Sequence, residues 1–155
     1  MVAIHIAKNF EDINVSLPKL KKLVKATCKR FNISEATVSI AIVGNTEIRK
    51  LNKRFLNRNH STDCLSFDLS DSNQQPKSFE LVVNAEKALK EATRRGHSAE
   101  AELALYITHG LLHNLGFDDS KPSQAEKMHD AEDEILQQQG FGLVYNKSNR
   151  IPNIH

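Results

Sequence analysis

Two histidines four positions apart are the residues of this chain that most directly suggest chemistry. His109 and His113 stand in the segment LALYITHGLLHNL (103–115), which is apolar almost throughout. Side chains four apart on a helix project from the same face. Two imidazoles on an apolar helix need partners, because burying an unpaired polar group costs a few kcal/mol. A single metal ion bound by both rings would satisfy both.

An aspartate downstream completes a candidate ligand set. The pattern His-x3-His-x2-Gly-x2-Asp ends at Asp119, and Gly116 permits the left-handed turn that swings the chain back. Two neutral imidazoles and one carboxylate are typical of a catalytic zinc site with an open fourth position. We therefore predict one Zn²⁺ held by His109, His113 and Asp119. The alternative is a pair of core histidines hydrogen-bonded to carboxylates.

The residue after the first histidine separates two kinds of metalloenzyme. In His-Glu-x-x-His peptidases that residue is the glutamate that acts as general base, whereas here it is Gly110, which removes a side chain beside the first ligand. Asp118 and Glu132 remain as candidate bases. Glu132 lies on the apolar stripe of the last predicted helix, so it could instead hydrogen-bond a ligand histidine. Asp118 should point away from the histidines, because adjacent side chains of an extended segment face opposite ways.

The elements that must position these residues follow from periodicity and capping signals. Alternating or continuous apolar residues predict four strands, and stripes at helical spacing predict five helices. The predicted fold is a single α+β domain, a mostly buried mixed sheet packed with helices, with the metal site on a central buried helix. It should span residues 1–144 and leave a mobile tail at 145–155. The predicted strands are 2–7, 38–42, 64–69 and 81–83; the predicted helix signals are an N-cap at Ser16, a start after Thr46, a stop at Gly96, an N-cap at Ser98, and a capping box of Ser123 and Glu126.

Composition favours a cytoplasmic protein with a polyanionic partner. The 155 residues contain no export signal, no apolar run near the roughly 20 residues that span a bilayer, and two cysteines outside any CxxC pair, Cys28 and Cys64. Residues 1–60 contain twelve Lys or Arg and four Asp or Glu, a net charge of +8, whereas residues 61–155 contain nine and fifteen, a net charge of −6. A basic half suggests a polyanion, although lysines that merely solvate helix faces would give the same count.

Three segments of the chain are similar to one known family. HGLLHNLGFDD (109–119), LNKRFLNRNHSTDCLSFDL (51–69) and FELVVNAEKA (79–88) resemble motifs of the YbeY family of metal-dependent endoribonucleases, and the resemblance spans roughly residues 35–140. It implies a single-strand-type endoribonuclease that acts in ribosomal RNA maturation and small-subunit quality control. Ribosomal RNA and the small ribosomal subunit are the implied partners. The alternatives are a metzincin-like metallopeptidase and a non-catalytic ribosome assembly factor with a structural metal.

Two departures from the family pattern concern the site itself. The usual third ligand of the family is histidine, and this chain has Asp119 at that position. Aspartate is a competent zinc ligand. Its charge makes the bound metal a weaker Lewis acid and favours a harder metal such as manganese. Many members carry an arginine where this chain has Leu56, so Arg58 is the substitute candidate for a catalytic role. The candidates for binding RNA phosphates are Lys22, Lys25, Lys29, Arg54 and Arg58.

Overall fold

The protein folds into one α+β domain built on a four-stranded mixed sheet with five helices. The computed structural model describes residues 1–142, so the predicted domain end at 144 and the tail at 145–155 lie outside the described residues. The elements in chain order are β1 Val2–Lys8, α1 Leu17–Arg30, β2 Ala36–Val43, α2 Asn45–Leu56, β3 Cys64–Asp68, β4 Lys77–Asn84, α3 Ala85–Arg95, α4 Ala99–Asn114 and α5 Pro122–Gln138.

The strand order in the sheet is β1-β2-β4-β3. Strands β1, β2 and β4 are parallel, with Ile4 opposite Val38 and Val38 opposite Phe79. Strand β3 runs antiparallel to β4 and forms an edge of the sheet. The predicted α+β class and the mixed sheet are confirmed. Strand β4 is longer than its predicted apolar centre, because polar residues also pair with β2 at its start.

The two faces of the sheet bury different amounts of apolar side chain. Alternate residues of β4 point to opposite faces, so Leu81 joins the main core and Val82 joins a small cluster with Ile48 of α2. The main core lies between the sheet and helices α1, α4 and α5. Helix α4 is buried on nearly every side, as the sequence predicted for its apolar segment.

Helix ends follow the predicted signals at three of the five helices. Ser16 and Ser98 accept hydrogen bonds from the backbone N–H groups of Lys19 and Ala101, and Gly96 ends α3 with a φ of 75°. The predicted start of α2 after Thr46 is wrong, because that helix begins at Asn45 with Gly44 as its N-cap.

The capping box predicted for α5 is also wrong. That helix begins at Pro122, whose ring fixes φ and lacks an N–H, which suits the first helical position. Ser123 therefore lies inside the first turn, and its side chain makes no cap.

Two further predictions concern the cysteines and the membrane. Cys28 and Cys64 are both free thiols, and burial raises the pKa of Cys28 to about 11. Among the helices of residues 1–142, none is long and apolar enough to span a bilayer.

Candidate metal centre

Helix α4 carries both histidines to the point where a buried helix reaches the surface. The side chains of His109 and His113 are 22% and 32% exposed, whereas the helix before them is almost wholly buried. Thr108, the polar residue just before them, is satisfied because its hydroxyl donates to the carbonyl of Ala104 at 2.8 Å. The two imidazoles thus lie at the C-terminal end of an otherwise apolar helix and face the solvent rather than the core.

Gly110 lets α4 approach the sheet beside the first histidine. A β-carbon at this position would lie 2.7 Å from Cys64 Sγ and 3.0 Å from Leu81 Cδ2, closer than side-chain packing tolerates. The sequence correctly indicated crowding at Gly110, but the crowding is against β3 and β4 rather than beside the ligand. A glutamate here, as in His-Glu-x-x-His peptidases, would clash with the sheet.

The predicted ligand atoms converge on one point. The Nε2 atoms of His109 and His113 are 3.1 Å apart, and Asp119 Oδ2 lies 3.8 Å and 3.7 Å from them. All three ligand atoms lie within 4.8 Å of one another. Nitrogens bound 2.0–2.1 Å from zinc at tetrahedral angles would be about 3.4 Å apart. The three residues therefore fit a small transition-metal ion with only slight adjustment.

The far side of each imidazole ring is held by an acceptor. His109 Nδ1 lies 2.6 Å from Glu132 Oε2, and His113 Nδ1 lies 3.2 Å from the carbonyl oxygen of Phe117. Both acceptors favour the tautomer with hydrogen on Nδ1, which donates to them and leaves the Nε2 lone pair for a cation. This is the arrangement that metal-binding histidines usually have.

A helix-ending turn brings Asp119 to the histidines. Gly116 has a φ of 101°, its N–H donates to the carbonyl of His113, and the N–H of Phe117 donates to that of Leu112. These two bonds form a Schellman cap, which needs the left-handed conformation that glycine adopts easily. The ring of Phe117 then packs edge-on against Phe31 at 5.4 Å, which fixes the direction of the chain after the turn.

Asp118 and Asp119 face different surroundings. Asp118 accepts hydrogen bonds from the backbone N–H and the hydroxyl of Ser120, both at 2.9 Å. These bonds lower the pKa of Asp118 and occupy both of its oxygens. The structure thus brings Asp119, rather than Asp118, beside the histidines, and Asp118 forms a solvent-exposed turn.

Glu132 is a buried carboxylate that contacts two imidazoles. Its side chain is 0% exposed, and while Oε2 contacts His109, Oε1 lies 2.8 Å from Nδ1 of His129. Burial alone would raise the pKa of Glu132, but its hydrogen bonds with both histidines lower it overall. Burial likewise lowers the pKa of His109, yet the hydrogen bond and charge of Glu132 outweigh it and raise that pKa. Glu132 is thus held in its anionic form, and its hydrogen bond orients the His109 ring.

The metal centre opens into a cleft of about 420 Å³ between α3, α4 and α5. Its lining includes eight polar residues that the sequence interpretation missed: Asp63, Lys87, Glu91, Arg94, Arg95, Glu102, Tyr106 and His129. His129 had a usable signal, since it precedes Glu132 by three positions and so shares its helix face. Asp63 had no signal in local geometry, because nothing near it places the start of β3 beside α4; its one signal was its position in the family-like segment 51–69.

Asp63 is held at the cleft by the end of β4. Its carbonyl accepts the N–H of Asn84 at 2.9 Å, and the Asn84 side-chain amide donates to Thr62 O at 3.1 Å and Ser61 Oγ at 3.0 Å. The carboxylate of Asp63 is close enough for its charge to contribute to the raised pKa of His109. The cleft therefore presents several negative charges around the point where the ligand atoms meet.

The predicted RNA-binding residues lie elsewhere on the surface. Lys25 and Lys29 line a separate depression beside Met1 and Asn32, and Lys22 is exposed on the same helix. Arg54 and Arg58 are exposed at and after the end of α2 and do not line the metal cleft. The catalytic role of Arg58 and the phosphate contacts of all five residues stay predictions.

Comparison with known proteins identifies the family of this chain. The family model described as Endoribonuclease YbeY matches residues 5–140. The Endoribonuclease YbeY of Macrococcus caseolyticus is 33% identical over 135 residues, covering 82% of this chain and 86% of that protein. That of Limosilactobacillus reuteri is 31% identical over 146 residues, covering 84% and 91%. The solution structure of TM1509 from Thermotoga maritima has the same fold, with a TM-score of 0.59 at 24% identity over 89% of this chain and 91% of that one. With a matching family model, relatives above 30% identity and the motif residues gathered at one cleft, the chain belongs to the Endoribonuclease YbeY family.

Proposed function

We propose that this chain is a metal-dependent endoribonuclease that cleaves ribosomal RNA during maturation and quality control of the small ribosomal subunit, in the cytoplasm. One Zn²⁺ held by His109, His113 and Asp119 would be its cofactor. The observation that carries the proposal is the convergence of these three ligand atoms at the mouth of a polar cleft. The RNA substrate follows from membership of a family named for endoribonuclease activity.

Each residue of the centre has a part that follows from its contacts. When bound, the metal supplies Lewis acidity, which polarises a phosphoryl oxygen or lowers the pKa of a water molecule. Glu132 keeps the Nδ1 proton of His109 in place and fixes the ring, and the Phe117 carbonyl does the same for His113. Asp119 adds a negative charge at the surface, which favours a cation in this position.

The packing at Gly110 supports this function over a peptidase. The His-Glu-x-x-His base would need a glutamate where α4 already touches Cys64 and Leu81. Within the described cleft, Asp63 and Glu132 are carboxylates that come from other elements, so the chain does not reproduce the peptidase arrangement.

The test compares two substrates and four proteins, the unmodified protein and three variants. Purified protein is incubated with a structured ribosomal RNA fragment and with casein, each with and without a chelator. RNA cleavage that chelator abolishes and Zn²⁺ restores is expected, with casein intact. His109→Ala and His113→Ala should lose both cleavage and bound metal, whereas Asp118→Ala, the matched control, should keep both.

Two outcomes would contradict the proposal. RNA cleavage that persists in the histidine variants would point to a contaminating nuclease or to another site. Stoichiometric metal binding without cleavage of any ribosomal RNA would favour a non-catalytic assembly factor instead.

A further inference from the structure

The end of α2 exposes an aromatic ring beside the edge strand of the sheet. Apart from Met1, the large apolar side chains that residues 1–142 expose are Phe55, Leu56 and Leu69, at 56%, 45% and 56%. The Phe55 ring meets Phe67 of β3 edge-on, with centroids 5.9 Å apart and an interplanar angle of 65°. Phe67 therefore supports one side of the Phe55 ring, while more than half of Phe55 remains open to solvent.

The segment of α2 and the following loop that carries this ring is basic, and Glu80 lies opposite Phe67 on β4. Within residues 49–58 there are five cationic side chains and no carboxylate. Among residues 1–142, none of the five forms an ion pair, so their charge is not neutralised locally. The Arg54 guanidinium lies 5.3 Å from the centroid of the Phe55 ring. The five are Arg49, Lys50, Lys53, Arg54 and Arg58.

This aromatic and basic surface is connected to the metal cleft by β3. Asp63, which lines the cleft, precedes Phe67 by four residues, a rise of about 13 Å along a strand. The loop between α2 and β3 is held against α2, because the Asn52 amide donates to the carbonyl of His60 at 3.0 Å. A linear polymer that lies along this edge of the domain could therefore contact both Phe55 and the metal centre.

We infer that Phe55 is a stacking platform for an unpaired base of the RNA substrate, with Arg54 and Arg58 contacting the phosphates beside that base. The inference rests on the proposed function, since it names the surface that holds the RNA near the cleft. Exposed aromatic rings among unpaired cations are the usual means of binding single-stranded nucleic acid. A protein partner fits less well, because the exposed apolar area consists of a few side chains next to a chain segment with five cations and no carboxylate.

The test measures binding of a short RNA that cannot be cleaved. The probe is a fluorescent 2′-O-methyl oligonucleotide of about eight nucleotides, within the site sizes of single-strand binding proteins, titrated with zinc-loaded protein. Phe55→Leu keeps an apolar side chain and removes the ring, and Phe55→Tyr keeps the ring. Phe141→Leu is the matched control, because Phe141 also lies under a cation, Lys19 at 4.3 Å, but it follows the C-terminal end of α5, away from α2 and β3.

Phe55→Leu should weaken binding at least about fivefold, the lower limit for losing one base–aromatic stack. Phe55→Tyr and Phe141→Leu should bind as the unmodified protein does, and circular dichroism should show all three variants folded at the temperature of the binding assay. In cleavage assays Phe55→Leu should raise KM and leave kcat nearly unchanged, since the metal centre is intact.

Equal affinity of Phe55→Leu and unmodified protein would overturn the inference and assign the ring to docking of a protein partner. An equal loss in Phe141→Leu would overturn it too, since the effect would then not be specific to this surface. Both results leave the proposed function standing if the unmodified protein cleaves RNA. Failure of the unmodified protein to bind or cleave any RNA would instead refute the proposed function.

Discussion

Replacing Gly110 with alanine should destabilise the domain at the contact between α4 and the sheet. The added β-carbon would lie 2.7 Å from Cys64 Sγ and 3.0 Å from Leu81 Cδ2. Both atoms belong to side chains packed in or against the main core, and Leu81 is fully buried, so a change of rotamer at either residue would meet other packed side chains. One methyl group is thus forced into a space that the native packing has already filled.

The size of the effect is a balance of two terms. Overpacking a well-packed core costs about 1–3 kcal/mol, whereas alanine is favoured over glycine inside a helix by up to about 1 kcal/mol. With overpacking at the middle of its range, about 2 kcal/mol, and a helix preference of about 1 kcal/mol, the net loss of unfolding free energy should be about 1 kcal/mol. For a domain of this size, that lowers the melting temperature by roughly 2–4 °C.

Urea unfolding measured with chelator present isolates this effect, because metal binding would otherwise add stability of its own. A double-mutant cycle with Cys64→Ala then tests the cause. Removing Sγ makes room for the new methyl group, so Gly110→Ala should cost at least about 0.5 kcal/mol less in that background. Gly110→Ala that is as stable as the unmodified protein, or strict additivity in the cycle, would refute the packing argument.

Three further predictions concern the metal centre and the basic N-terminal segment. Asp119→Ala should weaken zinc binding strongly, Asp119→His should restore it, and Asp118→Ala should change it little, as measured by competition with a chromophoric chelator; the reverse order would show that the other aspartate is the ligand. Glu132→Gln should weaken zinc binding about 10- to 100-fold in the same assay, because the amide no longer stabilises the Nδ1 proton of His109 as a carboxylate does; near-normal affinity would mean that the contact only fills space. The third prediction concerns a triple variant that replaces Lys22, Lys25 and Lys29 of α1 with glutamine. If these lysines contact RNA phosphates, the slope of log affinity against log salt should fall by about 0.7–0.9 per lost contact. An unchanged slope would mean that these side chains only solvate the helix.

The parts of the site that were predictable from sequence are local. The spacing of His109 and His113 specifies a shared helix face, and Gly116 specifies the turn that returns the chain, so the position of Asp119 follows from short-range geometry. The same holds for the α+β class, because strand and helix periods are read within one element.

The parts that were missed depend on packing between distant segments. Asp63 reaches the cleft because β3 pairs with β4 and α4 packs over both, a neighbourhood set by contacts between residues far apart in sequence. The role of Gly110 depends on the same approach of α4 to the sheet. The capping box at Ser123 failed for a local reason, since Pro122 is the better first residue of the helix.

The metal centre is local along the chain in a second sense. His109, His113, Asp119 and Glu132 all come from 24 consecutive residues, whereas β1 pairs with a strand 34 residues further on. Closing so short a loop costs little conformational entropy. An ion bound by α4 and the following turn, with α5 held through Glu132, would thus connect two consecutive helices. This connection needs no contact with the sheet. Release of the ion should therefore increase amide hydrogen exchange first in α5 and the turn before it, while β1, β2 and β4 stay protected.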